Sequence, residues 1–508
     1  MWTIAGSDSG AGAGIQADLK AFEAFGVHGC TVIASVTAQN SAAVLLVEPV
    51  STTLLDAQLT SLAQDLPARV IKTGLLASVD NVRCVCRWID ALRAQGNNIV
   101  LVVDPVLGAT SGASFSTPEL IAAYRHDLVP RATLLTPNRA EAALLLHSAP
   151  LNDAAAVEHA ALALHKLGAA AVVITGGDQS ATSDQANDYM LTPQAQGWLS
   201  VARVETAHHH GTGCVFASTA AAALASDYAL ADAVVLAKMA TTHALRHAYA
   251  AGAGAGPVCP QADFAQHLEN LPQLSTVLQH GQSAKFNPLA NPALGVYAVV
   301  DSAAWVQRVL EAGIRTVQLR IKDPAAPGLE SEIIAAITIT HAIKGAQLFI
   351  NDHWQLALKH GAYGVHLGQE DLLQADLAAL RAAGVRLGVS SHSYWEVARA
   401  RAIHPSYIAC GPIFATQSKD MPWLPQGLEN LRYWAALLDV PVVGIAGIKI
   451  GNIAEVAAQG VASAAVITAI TEAEQPAQAC KELLQQFAEG RSNFDSHIKC
   501  KRARSTLA

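Results

Sequence analysis

The stretch TVQLRIKD, residues 316–323, is an apolar run that ends in amide and charged side chains. Eight apolar runs of this kind follow one another between residues 295 and 470, with segments of helical spacing between them. Eight strand-then-helix units within about 200 residues are typical of a (β/α)₈ TIM barrel. Sites in such barrels lie at the carboxyl ends of the strands. The sequence therefore predicts a barrel with its site at those ends.

Polar residues follow the ends of these runs, as a barrel site requires. They are Gln318, Arg320 and Lys322 after the second run, Asn351 and Asp352 at the third, Gln369 and Asp371 after the fourth, Ser390 at the fifth, Thr416, Gln417, Ser418 and Lys419 after the sixth, and Gly447 and Thr468 in the last two. Any one of them taken alone is better explained as a solvated loop or capping residue. A polar set on one face of all these strands indicates a binding site instead.

The rest of the chain divides around this barrel, which we assign to residues 291–488. Strands and helices alternate less regularly in residues 1–258, which contain a β-rich insertion near residues 187–205. That pattern predicts an open α/β sheet with helices on both faces. Residues 259–290 lose the apolar runs and are rich in proline, so we predict a linker there. The polar, basic residues 489–508 are predicted to form a flexible tail.

Composition narrows the function to small-molecule chemistry. The 508 residues carry 33 Lys+Arg against 41 Asp+Glu, a formal charge of −8, and no basic block indicates nucleic-acid binding. Eight scattered cysteines form no C-x-x-C pair, which favours reduced thiols. No apolar run reaches a membrane span and no secretory signal opens the sequence. We therefore expect a cytoplasmic protein without a membrane partner, and a homo-oligomer is left open.

Two short motifs in the first half are weak signals when taken alone. The stretch GSDSGAGAG, residues 6–14, precedes a helix but lacks the Gly-Lys-Ser/Thr of a phosphate loop. A glycine turn that lets the backbone approach a ligand, with Asp18 one turn into the helix, is a reasonable interpretation. The stretch TAQN, residues 37–40, ends a strand with Gln39. Its amide either pairs with a ring nitrogen and an amino group or belongs to an ordinary turn.

The stretch HHHGTGCVFA, residues 208–217, resembles both a metal site and a redox site. Its spacing suits zinc poorly, because no second cysteine pair lies nearby. The glycine turn that runs into a helix instead indicates an anion site built from backbone N–H groups. The residues of this turn are Gly211, Thr212, Gly213 and Cys214.

The stretch LTPNRAEA, residues 135–142, leaves two interpretations open. Asn138 and Glu141 are spaced to present an amide and a carboxylate to hydrated Mg²⁺. The same spacing is that of a helix capping box.

Six stretches in this order, AGSDSGAGAGIQADLK, TAQN, IKTGLL, VVDPV, LTPNRAEA and HGTGC, resemble the hydroxymethylpyrimidine/phosphomethylpyrimidine kinases of thiamine biosynthesis, which have the ribokinase-like fold. The resemblance implies that Gln39 and Asp18 contact the aminopyrimidine, that Asn138 and Glu141 serve Mg-ATP, and that Gly211 to Cys214 form the anion hole. Cys214 would be the general base, since a helix N-terminus favours a thiolate. One departure is Thr175, which stands where the family usually has a lysine that meets ATP phosphates.

Seven stretches in the second half, VQLRIKD, FINDHW, GVHLGQEDL, LGVSSHS, IFATQSKDMP, GIAGI and AVITAI, resemble thiamine phosphate synthase across residues 294 to about 488. The resemblance assigns the pyrimidine diphosphate to Gln318, Arg320, Lys322, Asn351, Ser390 and Lys419, Mg²⁺ to Asp352 and Asp371, and the thiazole phosphate to Thr416, Gln417, Ser418, Gly447, Ile467 and Thr468. Ala446 replaces a glycine that is usual in the family.

These resemblances imply a fused kinase and synthase of thiamine biosynthesis, with ATP as a substrate and Mg²⁺ as cofactor. The two resemblances support each other, because the product of the kinase is the substrate of the synthase. Two alternatives stay open for the first half. It is a pyridoxine-type kinase, or it is a non-catalytic module that binds a pyrimidine and regulates the synthase.

Overall fold

The computed structural model describes residues 1–108, 116–177, 183–278, 284–415 and 425–505, with side chains up to residue 496. The chain divides into two compact units, Met1–His280 and Gly281–Ala508. In these described ranges, no helix has both the length and the apolar character that crossing a bilayer requires.

The first unit contains one sheet, which counts ten strands among the described residues. They are β1 (Trp2–Asp8), β2 (Cys30–Gln39), β3 (Val44–Pro49), β4 (Val70–Thr73), β5 (Val100–Val103), β6 (Leu134–Leu135), β7 (Val172–Ile174), β8 (Gln185–Leu191), β9 (Gln196–Ala202) and β10 (Gln273–Ser275). Their order is β10-β9-β8-β7-β6-β5-β4-β1-β2-β3. The central strands pair in parallel, whereas β3 and β8 to β10 are antiparallel.

Helices cover both faces of this sheet. They are α1 (Gly14–Phe25), α2 (Thr52–Asp65), α3 (Val79–Ala94), α4 (Pro118–Ala123), α5 (Arg139–Leu146), α6 (Ala154–Lys166), α7 (Thr212–Ala225) and α8 (Leu230–Arg246). Leu55 of α2 and Val85 of α3 belong to one apolar cluster, and Val215 of α7 and Ala244 of α8 to another. The predicted open α/β sheet with helices on both faces is confirmed.

The end of the first unit lies within the segment for which a linker is predicted. Strand β10 pairs antiparallel with β9, with Gln273 opposite Ser200. Phe264 and Leu274 are buried. These residues therefore pack on the first unit, although three strand residues are too few to give a periodic pattern in the sequence.

The second unit is a closed barrel of eight parallel strands among the residues described. They are β11 (Gly295–Val300), β12 (Thr316–Leu319), β13 (Gln347–Asn351), β14 (Gly364–Leu367), β15 (Arg386–Ser391), β16 (Tyr407–Cys410), β17 (Val442–Ile445) and β18 (Ser463–Val466). Strand β11 pairs with both β12 and β18, which closes the ring. The predicted TIM barrel is confirmed.

Helices follow the barrel strands along the chain. They are α9 (Ala303–Glu311), α10 (Leu329–His341), α11 (Trp354–Lys359), α12 (Leu377–Ala382), α13 (Tyr394–Ile403), α14 (Gly427–Leu437), α15 (Ile453–Ala457), α16 (Thr468–Thr471) and α17 (Pro476–Ser505). Large side chains of the strands fill the barrel, among them Tyr297, Phe349 and Tyr407. Gly388 leaves room for this filling, because a Cβ there would lie 2.1 Å from Cζ of Tyr407.

The basic end of the chain is helical, since α17 continues to Ser505. A Cβ at Gly490 would lie 2.2 Å from the Ala454 carbonyl oxygen, so the helix lies directly against α15. Arg491 Nη1 donates to the Val461 carbonyl oxygen at 2.9 Å. The flexible tail predicted from residue 489 therefore begins as an ordered helix.

Candidate active sites

The glycine stretch after β1 is organised by one carboxylate. Asp8 accepts hydrogen bonds from the backbone N–H groups of Gly10 at 2.7 Å, Gly12 at 3.0 Å and Ala13 at 2.8 Å. Its side chain is almost fully buried. The loop is thus wrapped around Asp8 at the carboxyl end of β1, beside the start of α1, which is where a backbone can approach a ligand.

Two motifs that are far apart in sequence meet at this carboxylate. His210 Nε2 lies 3.2 Å from Asp8 Oδ2, and the Gln39 side chain also bonds to Asp8. Burial raises the pKa of Asp8, but the hydrogen bonds from His210, Gln39 and the backbone outweigh it and hold the pKa well below its usual range. Gln39 therefore lies beside the glycine loop, as a ligand-contacting role would require.

A cleft of about 350 Å³ opens over this loop. Its lining includes Gly10, Gly12, Ser41, His210 and the segment 251–257. This cleft is the candidate pyrimidine pocket of the first unit.

The predicted anion turn lies against the glycine loop. Gly211 caps α7 with φ +88°, and a Cβ on it would lie 2.0 Å from the Gly12 carbonyl oxygen. Only glycine fits there. Thr212, Gly213 and Cys214 form the first turn of α7, where backbone N–H groups lack partners within the helix. The turn is therefore placed to receive an anion next to the cleft.

The pKa of the Cys214 thiol differs from the one that the sequence predicts. The Gly14 backbone N–H donates to its sulfur, and part of the residue stays accessible to solvent. Burial of the sulfur nevertheless raises the pKa of Cys214 to about 12; Lys72 lowers it, while Asp104 and Asp18 raise it. The expected thiolate is therefore not supported, because burial and two carboxylates outweigh the helix N-terminus.

Beneath the turn lies a buried charge network. Lys72 is completely buried, with Nζ 2.9 Å from Asp18 Oδ1 and 3.5 Å from Asp104 Oδ2. Asp18 also accepts hydrogen bonds from Thr3 Oγ1 and Ser218 Oγ, each at 2.6 Å. Burial lowers the pKa of Lys72, but Asp18 in the first place and the other anions raise it far above its usual value. The network holds one cation between two carboxylates.

This network corrects the role expected for Asp18. The residue has no exposed surface, and both carboxylate oxygens are bonded within the protein. It therefore supports Lys72 rather than contacting the aminopyrimidine. Lys72 and Asp104 were not predicted as site residues, although each is a charged residue inside an apolar run, VIKTG and VLVVDP.

Asn138 and Glu141 form the capping box of α5. Asn138 Oδ1 accepts from the Glu141 backbone N–H, and Glu141 Oε2 accepts from the Asn138 backbone N–H, both at 2.9 Å. Thr175 forms an isolated parallel bridge to Asn138. Because amide and carboxylate already cap the helix, Mg²⁺ fits here only if its own waters make most of the contacts.

In the second unit, the barrel brings the predicted strand-end residues to one face. Gln318 lies on β12, Asn351 ends β13 and Ser390 lies near the end of β15. Gly447 follows β17 with φ +69°, and Thr468 follows β18 as the first residue of α16, after Ile467. Thr416, Gln417, Ser418 and Lys419 lie outside the described residues.

Two carboxylates from different strands meet at this face. Asn351 Nδ2 donates to Asp352 Oδ2 at 2.5 Å, and the Gly368 N–H donates to Asp371 Oδ2 at 3.2 Å. Burial raises the pKa of Asp352, as do the charge of Asp371 and a hydrogen bond to it, whereas Arg320 lowers it. Each carboxyl group is thus held by a separate donor, and the two lie close enough to hydrogen-bond to each other.

This donor set fits a divalent cation. Hard cations prefer carboxylate and carbonyl oxygens. Gln369 adds a buried amide oxygen that has no hydrogen-bond partner in the part of the chain that is described. Burial lowers the pKa of Arg320, and Asp352 opposes this. Lys322 is exposed next to Arg320. The face therefore combines carboxyl groups that could hold a divalent cation with basic groups, as a diphosphate requires.

Comparison with known proteins assigns the two units. The family model described as phosphomethylpyrimidine kinase matches residues 8–259, and that described as thiamine monophosphate synthase matches residues 296–470. A probable chloroplastic thiamine biosynthetic bifunctional enzyme of rice, Oryza sativa subsp. japonica, is 34% identical over 92% of this chain and 85% of its own.

Two further proteins each match one half. The thiamine-phosphate synthase of Serratia proteamaculans strain 568 is 55% identical over 39% of this chain and 93% of its own. The solved structure of Bacillus subtilis pyridoxal kinase with ADP is 32% identical, covers 52% of this chain and 96% of its own, and has a TM-score of 0.46.

The family models and the rice relative support a kinase and a synthase in one chain over the alternatives for the first half. The chain therefore belongs to the family of bifunctional thiamine biosynthetic enzymes, with a phosphomethylpyrimidine kinase part followed by a thiamine-phosphate synthase part.

Proposed function

We propose that this chain makes thiamine phosphate from a hydroxymethylpyrimidine, ATP and a thiazole phosphate. The kinase part phosphorylates 4-amino-5-hydroxymethyl-2-methylpyrimidine twice, and the synthase part joins the diphosphate to the thiazole phosphate and releases pyrophosphate. The observation that carries the proposal is the meeting of Asp352, Asp371 and Arg320 at the carboxyl face of the barrel. Such a group neutralises a diphosphate leaving group.

In the synthase reaction, the bond between the pyrimidine methylene carbon and the diphosphate oxygen breaks, and its electron pair leaves with pyrophosphate. The thiazole nitrogen then gives its lone pair to the methylene carbon, so no protein nucleophile is needed. Asp352 and Asp371 would hold Mg²⁺, which supplies positive charge to the leaving group. Arg320 and Lys322 add their own charges to that group, and Asn351 orients Asp352.

The remaining synthase residues keep the roles that the sequence predicts. Gln318, Ser390 and Lys419 bind the pyrimidine diphosphate, and we place the pyrimidine ring of that substrate at Gln318 and Ser390. The thiazole phosphate is bound by Thr416, Gln417, Ser418, Gly447, Ile467 and Thr468.

In the kinase reaction, the N–H groups of Gly211 to Cys214 receive the transferred phosphoryl group, and the dipole of α7 stabilises its charge. Gln39 binds the pyrimidine. Because the pKa of Cys214 is raised to about 12, its thiol has to give up a proton before it can act as a base. The Cys214 thiol is hydrogen-bonded to Asp104, whose pKa is raised by burial and lowered by Lys72. A proton of the substrate hydroxyl would therefore pass by way of Cys214 to Asp104.

Asn138 and Glu141 would serve Mg-ATP through water, since both side chains cap α5. Thr175 sits beside Asn138, so this end of the nucleotide site lacks the usual lysine charge. Weak affinity for ATP is the expected consequence. A cytoplasmic location and a homo-oligomer stay predictions; the rice relative is described as chloroplastic.

Three reaction mixtures with the full-length chain test the proposal. Hydroxymethylpyrimidine, ATP and thiazole phosphate together should yield thiamine phosphate. Pyrimidine diphosphate and thiazole phosphate should yield the same product without hydroxymethylpyrimidine or ATP. Pyridoxal should not compete with hydroxymethylpyrimidine for phosphorylation. If thiamine phosphate forms from pyrimidine diphosphate and thiazole phosphate but not from hydroxymethylpyrimidine, ATP and thiazole phosphate, the first half is a non-catalytic module. If pyridoxal is phosphorylated preferentially, the first half is a pyridoxine-type kinase.

A further inference from the structure

A chain of hydrogen bonds crosses the interior of the barrel from Gln318 to Ser390. Gln318 Nε2 lies 3.2 Å from Tyr297 Oη, which lies 2.9 Å from Tyr407 Oη. Tyr407 Oη lies 2.7 Å from His366 Nδ1, and His366 Nε2 lies 2.8 Å from Ser390 Oγ. The two end residues are those at which we place the pyrimidine ring, whereas no role has been assigned to the three between them.

The middle of this chain is sealed from water. Tyr297, Tyr407 and His366 are at most 5% exposed, and the rings of His366 and Tyr407 stack with centroids 5.7 Å apart. Burial raises the pKa of both tyrosines, so each hydroxyl keeps its single proton. Buried polar groups of this kind are held by their mutual hydrogen bonds, and their arrangement is therefore well defined.

The direction of every bond follows from Gln318. An amide NH₂ group donates and cannot accept, so Tyr297 Oη accepts from Gln318. Among these residues, the Tyr297 proton finds an acceptor only if Tyr297 in turn donates to Tyr407. Tyr407 in turn donates to His366 Nδ1. That nitrogen is then unprotonated, the proton of the neutral ring is on Nε2, and Nε2–H donates to Ser390 Oγ.

We propose that these hydrogen bonds make Ser390 a donor and Gln318 an acceptor toward the pyrimidine. The site thereby selects a 4-aminopyrimidine over a 4-oxopyrimidine. With its oxygen accepting from His366, Ser390 has its own proton left for the ligand. Because one N–H of Gln318 is directed to Tyr297, the NH₂ end of the amide faces the hydrogen-bond chain, and the carbonyl oxygen is the end left for the ligand. A 4-aminopyrimidine presents a ring nitrogen that accepts beside an amino group that donates, and a 4-oxopyrimidine reverses both.

The proposal rests on the synthase function proposed above and adds its specificity. Tyr297, Tyr407 and His366 are positioning residues, because they act on the ligand through Gln318 and Ser390. A site whose buried groups are matched to a donor–acceptor pattern rejects the reversed pattern strongly, by about 10⁴-fold where two bonds are mismatched.

The tautomer of His366 tests the direction of the chain without any reaction. Nitrogen-15 NMR of the full-length, histidine-labelled chain gives the tautomer, and the loss of a signal in His366→Asn identifies it. We expect the proton on Nε2. In Gln318→Glu the carboxylate can only accept, so every bond should reverse and the proton should move to Nδ1. A wild-type His366 that is protonated on Nδ1, or on both nitrogens, overturns the proposal.

Kinetics test the consequence for specificity. Tyr407→Phe removes one link and keeps the ring, so we expect the KM of the aminopyrimidine diphosphate to rise about tenfold and the preference over the 4-oxo analogue to narrow by at least about tenfold. Kinase turnover of the same chain should not change.

Tyr363→Phe is the matched control. The Tyr363 hydroxyl donates to Gln347 Oε1 at 2.5 Å and accepts from the Ala290 N–H at 2.8 Å. It takes no part in the hydrogen bonds that connect Gln318 to Ser390. Equal effects of the two variants, or an unchanged preference in Tyr407→Phe, contradict the proposal. A wild-type chain that forms no thiamine phosphate counts against the proposed function instead, and the His366 tautomer still decides the hydrogen-bond chain.

Discussion

Replacing Lys72 with methionine should destabilise the kinase part strongly. Its Nζ lies 2.9 Å from Asp18 and 3.5 Å from Asp104, and all three side chains are buried. At an effective dielectric constant of about 20, each contact is worth about 5 kcal/mol before desolvation is subtracted. Removing one partner of a buried ion pair typically costs about 3–5 kcal/mol. Because two carboxylates lose this cation, we expect the upper end of that range.

The loss of stability in Lys72→Met should be smaller at low pH than at high pH. The pKa of Asp104 is raised above 3.8 by burial in the folded chain, and Lys72 opposes that shift. Without Lys72, the carboxyl group of Asp104 holds its proton more tightly in the folded state than in the unfolded state. The stability of the variant therefore falls as the pH rises above about 4, and the destabilisation should be smaller at about pH 5 than at about pH 8.

Hydrogen exchange, measured by mass spectrometry on the full-length chain, assigns the loss to one unit. Peptides from residues 1–278 should exchange faster in Lys72→Met, and barrel peptides should not. Arg69→Met is the control, because the Arg69–Asp227 pair is about 70% exposed on each side and worth at most about 1 kcal/mol. Adding Asp104→Asn should restore part of the stability. If Lys72→Met exchanges no faster than Arg69→Met, the network does not stabilise the fold.

Three further outcomes are expected. Cys214→Ala should lower kinase turnover by about 10²–10⁴-fold with the fold intact, and the wild-type rate should show no thiol titration near neutral pH; near-normal turnover refutes the base role. Asp371→Asn should lower synthase turnover, partly restored by high Mg²⁺, while kinase turnover is unchanged; a normal rate at low Mg²⁺ refutes the cation site. Ala446→Gly should stabilise the barrel by about 1 kcal/mol, measured by chemical unfolding, because φ at Ala446 is +76°; a loss of stability argues against strain there.

Local sequence pattern was enough for the barrel and for much of its site. Each strand with its following helix is a local unit, and the parallel arrangement brings every strand end to one face. Gln318, Asn351 and Ser390 could therefore be placed from their positions after apolar runs alone. The same holds for Gly211, since a glycine turn that leads into an apolar helix is a local feature.

Contacts between distant parts of the chain could not be predicted in this way. Asp18, on helix α1, bonds to Ser218, which is 200 residues away, and to Lys72 on strand β4. A helical pattern shows that Asp18 lies near the start of α1, but not that its side chain points into the sheet. The sequence therefore assigned it to a ligand.

Protonation is likewise a property of the folded chain. The helix N-terminus at Cys214 is visible in the sequence, yet the pKa of the thiol depends on burial and on Asp104 and Asp18, which fold around it. His366 is one histidine among 19, and its proposed tautomer depends on tertiary partners such as Tyr407 and Ser390. The backbone follows from interactions within a few residues, whereas charge and hydrogen-bond direction depend on groups that only the packed fold brings within about 3 Å.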